Sequence, residues 1–423
     1  MTEEELAAFR ASPHPERANP EYWEEPEPRK QNPFTVHPGG AGSTLFRPAR
    51  FPDPGSIPPR QWLYGDLLLR RYLTVLAAPG GVGKTSLTMG IGLSLACNRP
   101  LLGDRVHAGG CRVLFCSLED SEDEFDRLTA AFARHHRLDV DELRGRVFVR
   151  FGREAPLVLA ALSSGEMVYP DEEAMTHFVR EEGIGAVMVD PWVNAHMLNE
   201  NDNAQVNEAA RAIIRVGQAT GAGMLASHHT RKGAEAGNAE ASRGAGALTN
   251  ASRVTYTLTP MDEKSAETSG IAEDERPFYT RLARAKANLS PRDKARWFRL
   301  RSVNLGNGTP DYPEGDNVQA VESYQPAGVF SRLSDADVDE ALAEIDRGGP
   351  GPGERYTDSA KGGATRWLGH YLVKRFGMNE TQAKAIVTTW LKNGLLVVRD
   401  YTDFRQRKTV SGLYVDRSKR RPV

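Results

Sequence analysis

Between residues 60 and 305 the chain repeats one texture: a short apolar run, a turn, then a stretch with helical spacing. Apolar runs at 73–77 (Leu73-Thr74-Val75-Leu76-Ala77), 112–118, 147–151, 186–190 and 223–227 predict strands. The segments between them predict helices over 85–96, 122–136, 171–182 and 204–221. Strands alternating with helices predict an α/β fold built on a mainly parallel sheet with both faces covered. Further on, runs at 253–259, 278–284 and 296–302 follow without long helices between them. They predict an antiparallel extension of the same sheet.

The flanks read differently. Residues 1–57 are interrupted by Pro13, Pro15, Pro20, Pro26, Pro28, Pro33 and Pro38 and hold few large apolar side chains, which predicts a disordered arm. A first compact unit is expected over 58–305, a polar linker over 306–333 and a second compact unit over 334–423. In that unit Val338, Leu342 and Ile345 share one helical face, 367–376 predicts a second helix, and Asn379 caps a third running to Lys392. Gly394 stops it, and 395–398 with 410–415 predict a hairpin whose tip carries Arg405, Gln406, Arg407 and Lys408. The stretch 348–353, made of glycine and proline, is expected as a loop.

Composition narrows the classes. With 39% hydrophobic and 26% charged residues, the 423-residue chain suits a water-soluble globular protein of two or three domains. The net charge of −2 excludes a chain-wide basic bias towards nucleic acid, so any such bias has to be local. Cys97, Cys111 and Cys116 form neither a CxxC pair nor a zinc spacing and read as reduced thiols, as in a cytoplasmic setting. The N-terminus lacks the order of a signal peptide, and no apolar run is long enough to span a membrane, so no membrane partner is expected.

The chemistry concentrates after the first core strand. Ala78, Pro79, Gly80, Gly81, Val82, Gly83, Lys84, Thr85 and Ser86 follow a strand and open a helix, the context a phosphate-binding P-loop needs. Glycines let backbone N–H groups turn inward around phosphate, and the helix N-terminus adds partial positive charge. Lys84 is expected to bridge the β- and γ-phosphates of ATP, and Thr85 to place its hydroxyl on Mg²⁺. Asp190, at the end of an apolar strand, is the expected second metal-site residue. Glu119 is the expected group orienting the attacking water, with Asp120 a weaker candidate; the pair could otherwise cap the helix after Ser121. His228 and His229 end the fifth strand, and His229 is the expected γ-phosphate sensor. Trp62 and Tyr64 could pack on adenine or on the core.

Taken in order, these motifs, a loop holding Ala241-Ser242-Arg243-Gly244, then Asn250-Ala251-Ser252-Arg253 and Ala285-Lys286-Ala287-Asn288, resemble the RepA-like plasmid replicative helicases of the RecA/DnaB superfamily. The resemblance covers about residues 60–302. It implies a RecA-like core assembling into a ring, usually a hexamer, with ATP between subunits and an arginine reaching the neighbour's γ-phosphate. Arg253 matches that finger; Arg243 and Lys286 are further candidates. The resemblance also implies two channel-facing loops for single-stranded DNA, at 194–203 and 230–245. The C-terminal unit resembles a winged helix-turn-helix module. Its third helix would expose Thr381, Lys384, Thr388 and Lys392 to duplex DNA, or the module would hold a protein partner such as a replication factor. The reading is thus a DNA helicase motor. Its rivals are an ATP-switched DNA-binding regulator and a protein-remodelling or loader ATPase.

Overall fold

In the computed structural model, residues 49–107, 109–230, 245–287, 295–326, 333–359, 364–403 and 407–419 are described. The chain divides into a unit ending at Pro59 and one running from Arg60. In the first, residues 49–59 are exposed and make one 3-10 turn at Pro54–Ser56. The part of the expected arm before residue 49 lies outside the described residues.

The second unit opens with β1 (Trp62–Tyr64), β2 (Leu68–Leu69) and β3 (Leu73–Ala78), then α1 (Lys84–Cys97). β4 (Arg112–Ser117), α2 (Glu122–His136), β5 (Val147–Phe151), the small hairpin β6 (Ala161–Ser163) and β7 (Glu166–Val168), and α3 (Glu172–Glu181) follow. Then come β8 (Ile184–Asp190), α4 (Asn203–Thr220), β9 (Gly223–His229), α5 (Ala245–Ala251), β10 (Val254–Pro260) and α6 (Glu263–Ser269). β11 (Tyr279–Ala287), β12 (Arg296–Asn304) and β13 (Asn317–Tyr324) complete a nine-stranded sheet of order β13-β12-β11-β10-β3-β9-β8-β4-β5. Strands β10 to β5 in that order are parallel neighbours, while β10 to β13 pair antiparallel.

The period-2 alternation of the strands sorts their side chains onto the two faces. Leu76, Phe115, Met188 and Leu225 join the core beneath α1 and α2; their neighbours Val75, Leu114, Val187 and Met224 join the core beneath α3 and α4. Helix α1 lies so deep that twelve of its fourteen residues are buried. Gly92 makes this approach possible, since a Cβ there would stand 2.2 Å from the Phe115 ring.

One expectation is corrected here, and one open pair of readings, adenine or core for Trp62 and Tyr64, goes to the core. The stretch 306–333 is not a plain linker: β13 lies within it, with Val318, Ala320 and Val321 buried and a continuous antiparallel register against β12. Glycines and prolines before it build the hairpin loop, and its outward-facing polar residues hide the alternation. Tyr64 cannot stack on a base. It is 1% exposed within the core, and Trp62 packs half-buried against that core.

The C-terminal part holds α7 (Asp335–Arg347), α8 (Leu368–Phe376), α9 (Glu380–Lys392) and the hairpin of β14 (Leu396–Asp403) and β15 (Lys408–Val415) around its own apolar cluster, including Leu342, Ile345, Leu372, Ile386 and Trp390. The N-terminal end of α9 is tied to α6. Asn379 Nδ2 donates to the Glu267 carbonyl (2.8 Å), Thr381 Oγ1 to Glu267 Oε2 (3.1 Å) and Gln382 Nε2 to the Thr268 carbonyl (3.2 Å). Thr381 is therefore engaged within the chain, whereas Lys384, Thr388 and Lys392 stay exposed. Among the described residues, no helix is long and apolar enough to cross a membrane.

Candidate nucleotide site

The carboxyl ends of parallel strands, where the order doubles back, are the usual ligand crevice of such sheets. Here β3 lies between β9 and β10, and the chain leaves it through Pro79–Gly83 into α1. Gly81 (φ 78°) and Gly83 (φ 86°) both take left-handed backbone, which side chains with a Cβ adopt at a cost. A Cβ on Gly80 or Gly81 would meet nothing within 4 Å, so the turn opens onto free space. No side chain caps α1 and no acidic residue stands in its first turn. Its first N–H groups therefore face outward as an anion site at the positive end of the helix.

Register brings the other groups in. Ala78 pairs with His229 on β9, and Ser117 on β4 pairs with Asp190 on β8. Lys84 Nζ lies 3.0 Å from His229 Nδ1. An ammonium can only donate, so this contact places the imidazole proton on Nε2. Burial and the Lys84 charge hold the His229 pKa below its ordinary value, while burial lowers that of Lys84 against the pull of Asp190 and Glu119. The His229 ring is thus neutral at neutral pH.

Ser227 Oγ donates to Asp190 Oδ1, while Asp190 Oδ2 is buried with no partner. A small cavity of about 20 Å³ is lined by Thr85, Ser117, Asp120 and Asp190 among others. An orphaned carboxylate oxygen beside a threonine hydroxyl is a donor set that suits Mg²⁺, a hard cation preferring oxygen. Asp120 turns into this cavity, and burial together with Asp190 raises its pKa. Glu119 is exposed, with Oε1 accepting from Asn194 Nδ2 (3.4 Å). Neither carboxylate caps α2, since Ser121 Oγ does so by accepting from the Glu124 amide.

Lys84, Thr85, Glu119, Asp190 and His229 are therefore gathered at one end of the sheet. Arg253 is not among them. It precedes β10, beside Leu73 at the opposite end of β3, about 17 Å along the strand from the P-loop. It is exposed and makes no side-chain hydrogen bond or ion pair among the described residues. Lys286 is unsuited to a finger role, because its ammonium donates to the carbonyls of Thr249, Asn250 and Ser252. Arg243, the 241–244 motif and Asn288 lie outside the described residues, as does most of the second expected loop. The first loop begins at the exposed Asn194, packs inward at Ala195 and His196, and turns outward again at Met197.

Three contributors escaped the sequence reading: Ser227, Asn194 and the inward turn of Asp120. A serine within the apolar run 223–227 was the one available signal. Burial pushes the Cys111 thiol up to about 11 and the fully buried Cys116 thiol up to about 12.

Behind the site, His228 points to the other face. It is buried, and both its ring nitrogens lack partners, as do His196 Nε2 and Trp192 Nε1. Burial first, then the nearby Lys84, His229 and His196, lowers the His228 pKa from 6.5 to about 4. The unfolded chain then binds more protons between pH 6.5 and 4, so stability falls as pH drops through that window. From pH 7 to pH 5 this linkage is worth about 2 kcal/mol. Urea unfolding at both pH values should show His228→Leu losing less stability than wild type by that amount; an unchanged difference would refute the assignment.

Compared with known protein families, residues 45–235 match the family described as an AAA domain. The match supports ATPase activity of the P-loop type for this part of the chain, and the mostly parallel central sheet is compatible with such a core.

Proposed function

We propose that the ATPase domain drives a ring-forming, RecA-like motor on DNA, of the plasmid- or phage-type replicative helicase kind, with a hexamer as the working assembly. The observation that carries this reading is Arg253, an exposed arginine at the opposite end of the sheet from its own P-loop. Head-to-tail packing of copies around a ring sets opposite ends of neighbouring subunits against each other. Each ATP would then be bound by one subunit and completed by the next.

In the hydrolysis step the N–H groups of Gly80 to Thr85 hold the phosphates, and Lys84 bridges the β- and γ-oxygens. Thr85 and Asp190 would hold Mg²⁺, and Ser227 fixes the Asp190 carboxylate through its hydrogen bond. Bound there, Mg²⁺ supplies positive charge against the phosphate oxygens. Glu119 orients the water and takes its proton. The neighbour's Arg253 neutralises charge on the transferred group. His229 shares Lys84 with the γ-phosphate, so loss of that phosphate changes its hydrogen bonding at the root of the loop after Thr230. That loop and the one from Asn194 would move along one DNA strand.

The order of three helices and a hairpin in the C-terminal part supports reading it as a winged helix. DNA-reading helices of this kind use their N-terminal residues at base edges. The N-terminal end of α9 is instead bonded to α6, which supports the rival readings, in which the module serves assembly or a protein partner. Steady-state ATP turnover with and without single-stranded DNA separates them, with Lys84→Ala as the blank. The motor predicts strong stimulation by single strands. Turnover indifferent to them would remove it in favour of a DNA-bound switch or a protein-remodelling ATPase.

A further inference from the structure

We propose that Lys286 is the positioning residue for Arg253: it locks the backbone that carries the arginine towards the neighbouring subunit. The inference rests on the reading of Arg253 as acting in trans. Lys286 stands on β11 opposite Thr255 of β10. Its side chain runs back along the strand pair to the end of α5. There its ammonium donates to three carbonyls, those of Thr249 (2.9 Å), Asn250 (3.1 Å) and Ser252 (3.1 Å). A lysine has three N–H donors, enough to serve three carbonyls at once. Positive charge at a helix C-terminus is also favourable.

The remaining bonds pin the same turn. Ser252 Oγ donates to the Thr249 carbonyl (2.9 Å) and lies 2.7 Å from Thr255 Oγ1, with both residues buried. The Arg253 amide donates to the Leu73 carbonyl (3.3 Å). Backbone before, at and after Arg253 is thus fixed, while its guanidinium projects into solvent. This combination suits a group that must reach a partner's phosphate at a set distance. A displacement of about 1 Å in such a group costs about 100-fold in rate. Without the ammonium, the C-terminal carbonyls of α5 turn to water and the stalk loosens, although no atom of Lys286 touches ATP.

Subunit mixing tests this. Full-length Lys84→Ala, Arg253→Ala, Lys286→Met and Lys286→Arg proteins are assayed for ATP turnover alone and as equimolar mixtures, combined as dissociated subunits before nucleotide is added. Lys84→Ala subunits keep an intact Arg253, and so should restore turnover to Arg253→Ala subunits. Lys286→Met alone should lose about 100-fold in kcat with nucleotide affinity unchanged. Mixing it with Lys84→Ala should restore turnover, and mixing it with Arg253→Ala should restore none, because neither subunit then offers a placed finger. Lys286→Arg, which still donates to carbonyls, should stay within about threefold of wild type. If Arg253→Ala is not rescued by Lys84→Ala, the trans reading fails and the proposal falls with it. If that rescue works while Lys286→Met keeps wild-type turnover, or is not rescued by Lys84→Ala, the positioning role alone is overturned. Should Lys286→Met lack a cooperative melt, Lys286→Gln carries the same mixtures with the same outcomes.

Discussion

Replacing Arg253 with alanine is expected to lower ATP turnover by about 10³-fold or more while leaving nucleotide binding intact, the scale set by arginines that act on phosphoryl transfer from outside the binding subunit. The side chain is exposed and unpaired among the described residues, so its removal should move stability by no more than about 0.5 kcal/mol. A loss of turnover therefore cannot be ascribed to unfolding. Arg253 sits at the far end of β3 from the P-loop of its own chain, so its absence should not disturb Lys84, Thr85 or Asp190. Wild-type specific activity should rise with protein concentration as assembly completes each site, whereas Arg253→Ala should stay low throughout. Turnover measured across a concentration series, beside equilibrium binding of a fluorescent ATP analogue, checks both. Turnover within a few-fold of wild type would remove Arg253 from the reaction.

How far the site could be read beforehand depended on the range of the interaction that fixes each residue. The P-loop is local: an apolar strand, a glycine turn and a helix are contiguous from Leu73 to Cys97, and chain order alone sets their geometry. The contact of His229 with Lys84 depends on β9 lying beside β3, a pairing between segments about 150 residues apart whose neighbours the sequence does not state. Its strand-end position suggested a role, while the partner came only from the register. Glu119 and Asp120 are adjacent in the bend after β4, beyond the strand's alternation, so chain order does not say which one turns inward. Lys286 was misread because its basic charge suggested phosphate, while the three carbonyls it serves come from a turn 34 to 37 positions earlier. In β13, an edge strand with three of its eight residues exposed and only three buried, the polar positions masked the buried ones. The parallel strands themselves were legible, because burial on both sides leaves long apolar runs, but a run without polar positions does not say that Val187 and Met188, or Met224 and Leu225, face opposite cores.

The inward turn of Asp120 leads to the second large effect. Glu119→Gln is expected to reduce kcat by about 10² to 10⁴, the range for loss of a general base, with ATP affinity preserved or improved. The glutamate stands exposed at the end of β4, where a water approaching the terminal phosphate would arrive, and its Oε1 is oriented by Asn194. Its charge acts on Lys84 and His229 at a distance, so glutamine removes a base and weakens a field without removing a phosphate ligand. Asp120 faces Thr85 and Asp190 across the small cavity instead. Asp120→Asn should therefore show a loss that shrinks as Mg²⁺ is raised, while the loss in Glu119→Gln should be the same at every Mg²⁺ concentration. Measuring kcat for both variants across an Mg²⁺ titration separates the roles. A large loss in Asp120→Asn that persists at saturating Mg²⁺, beside a nearly normal Glu119→Gln, would move the water-activating role from the exposed carboxylate to the half-buried one. The approach of the water would then have to run through the cavity between α1 and β4.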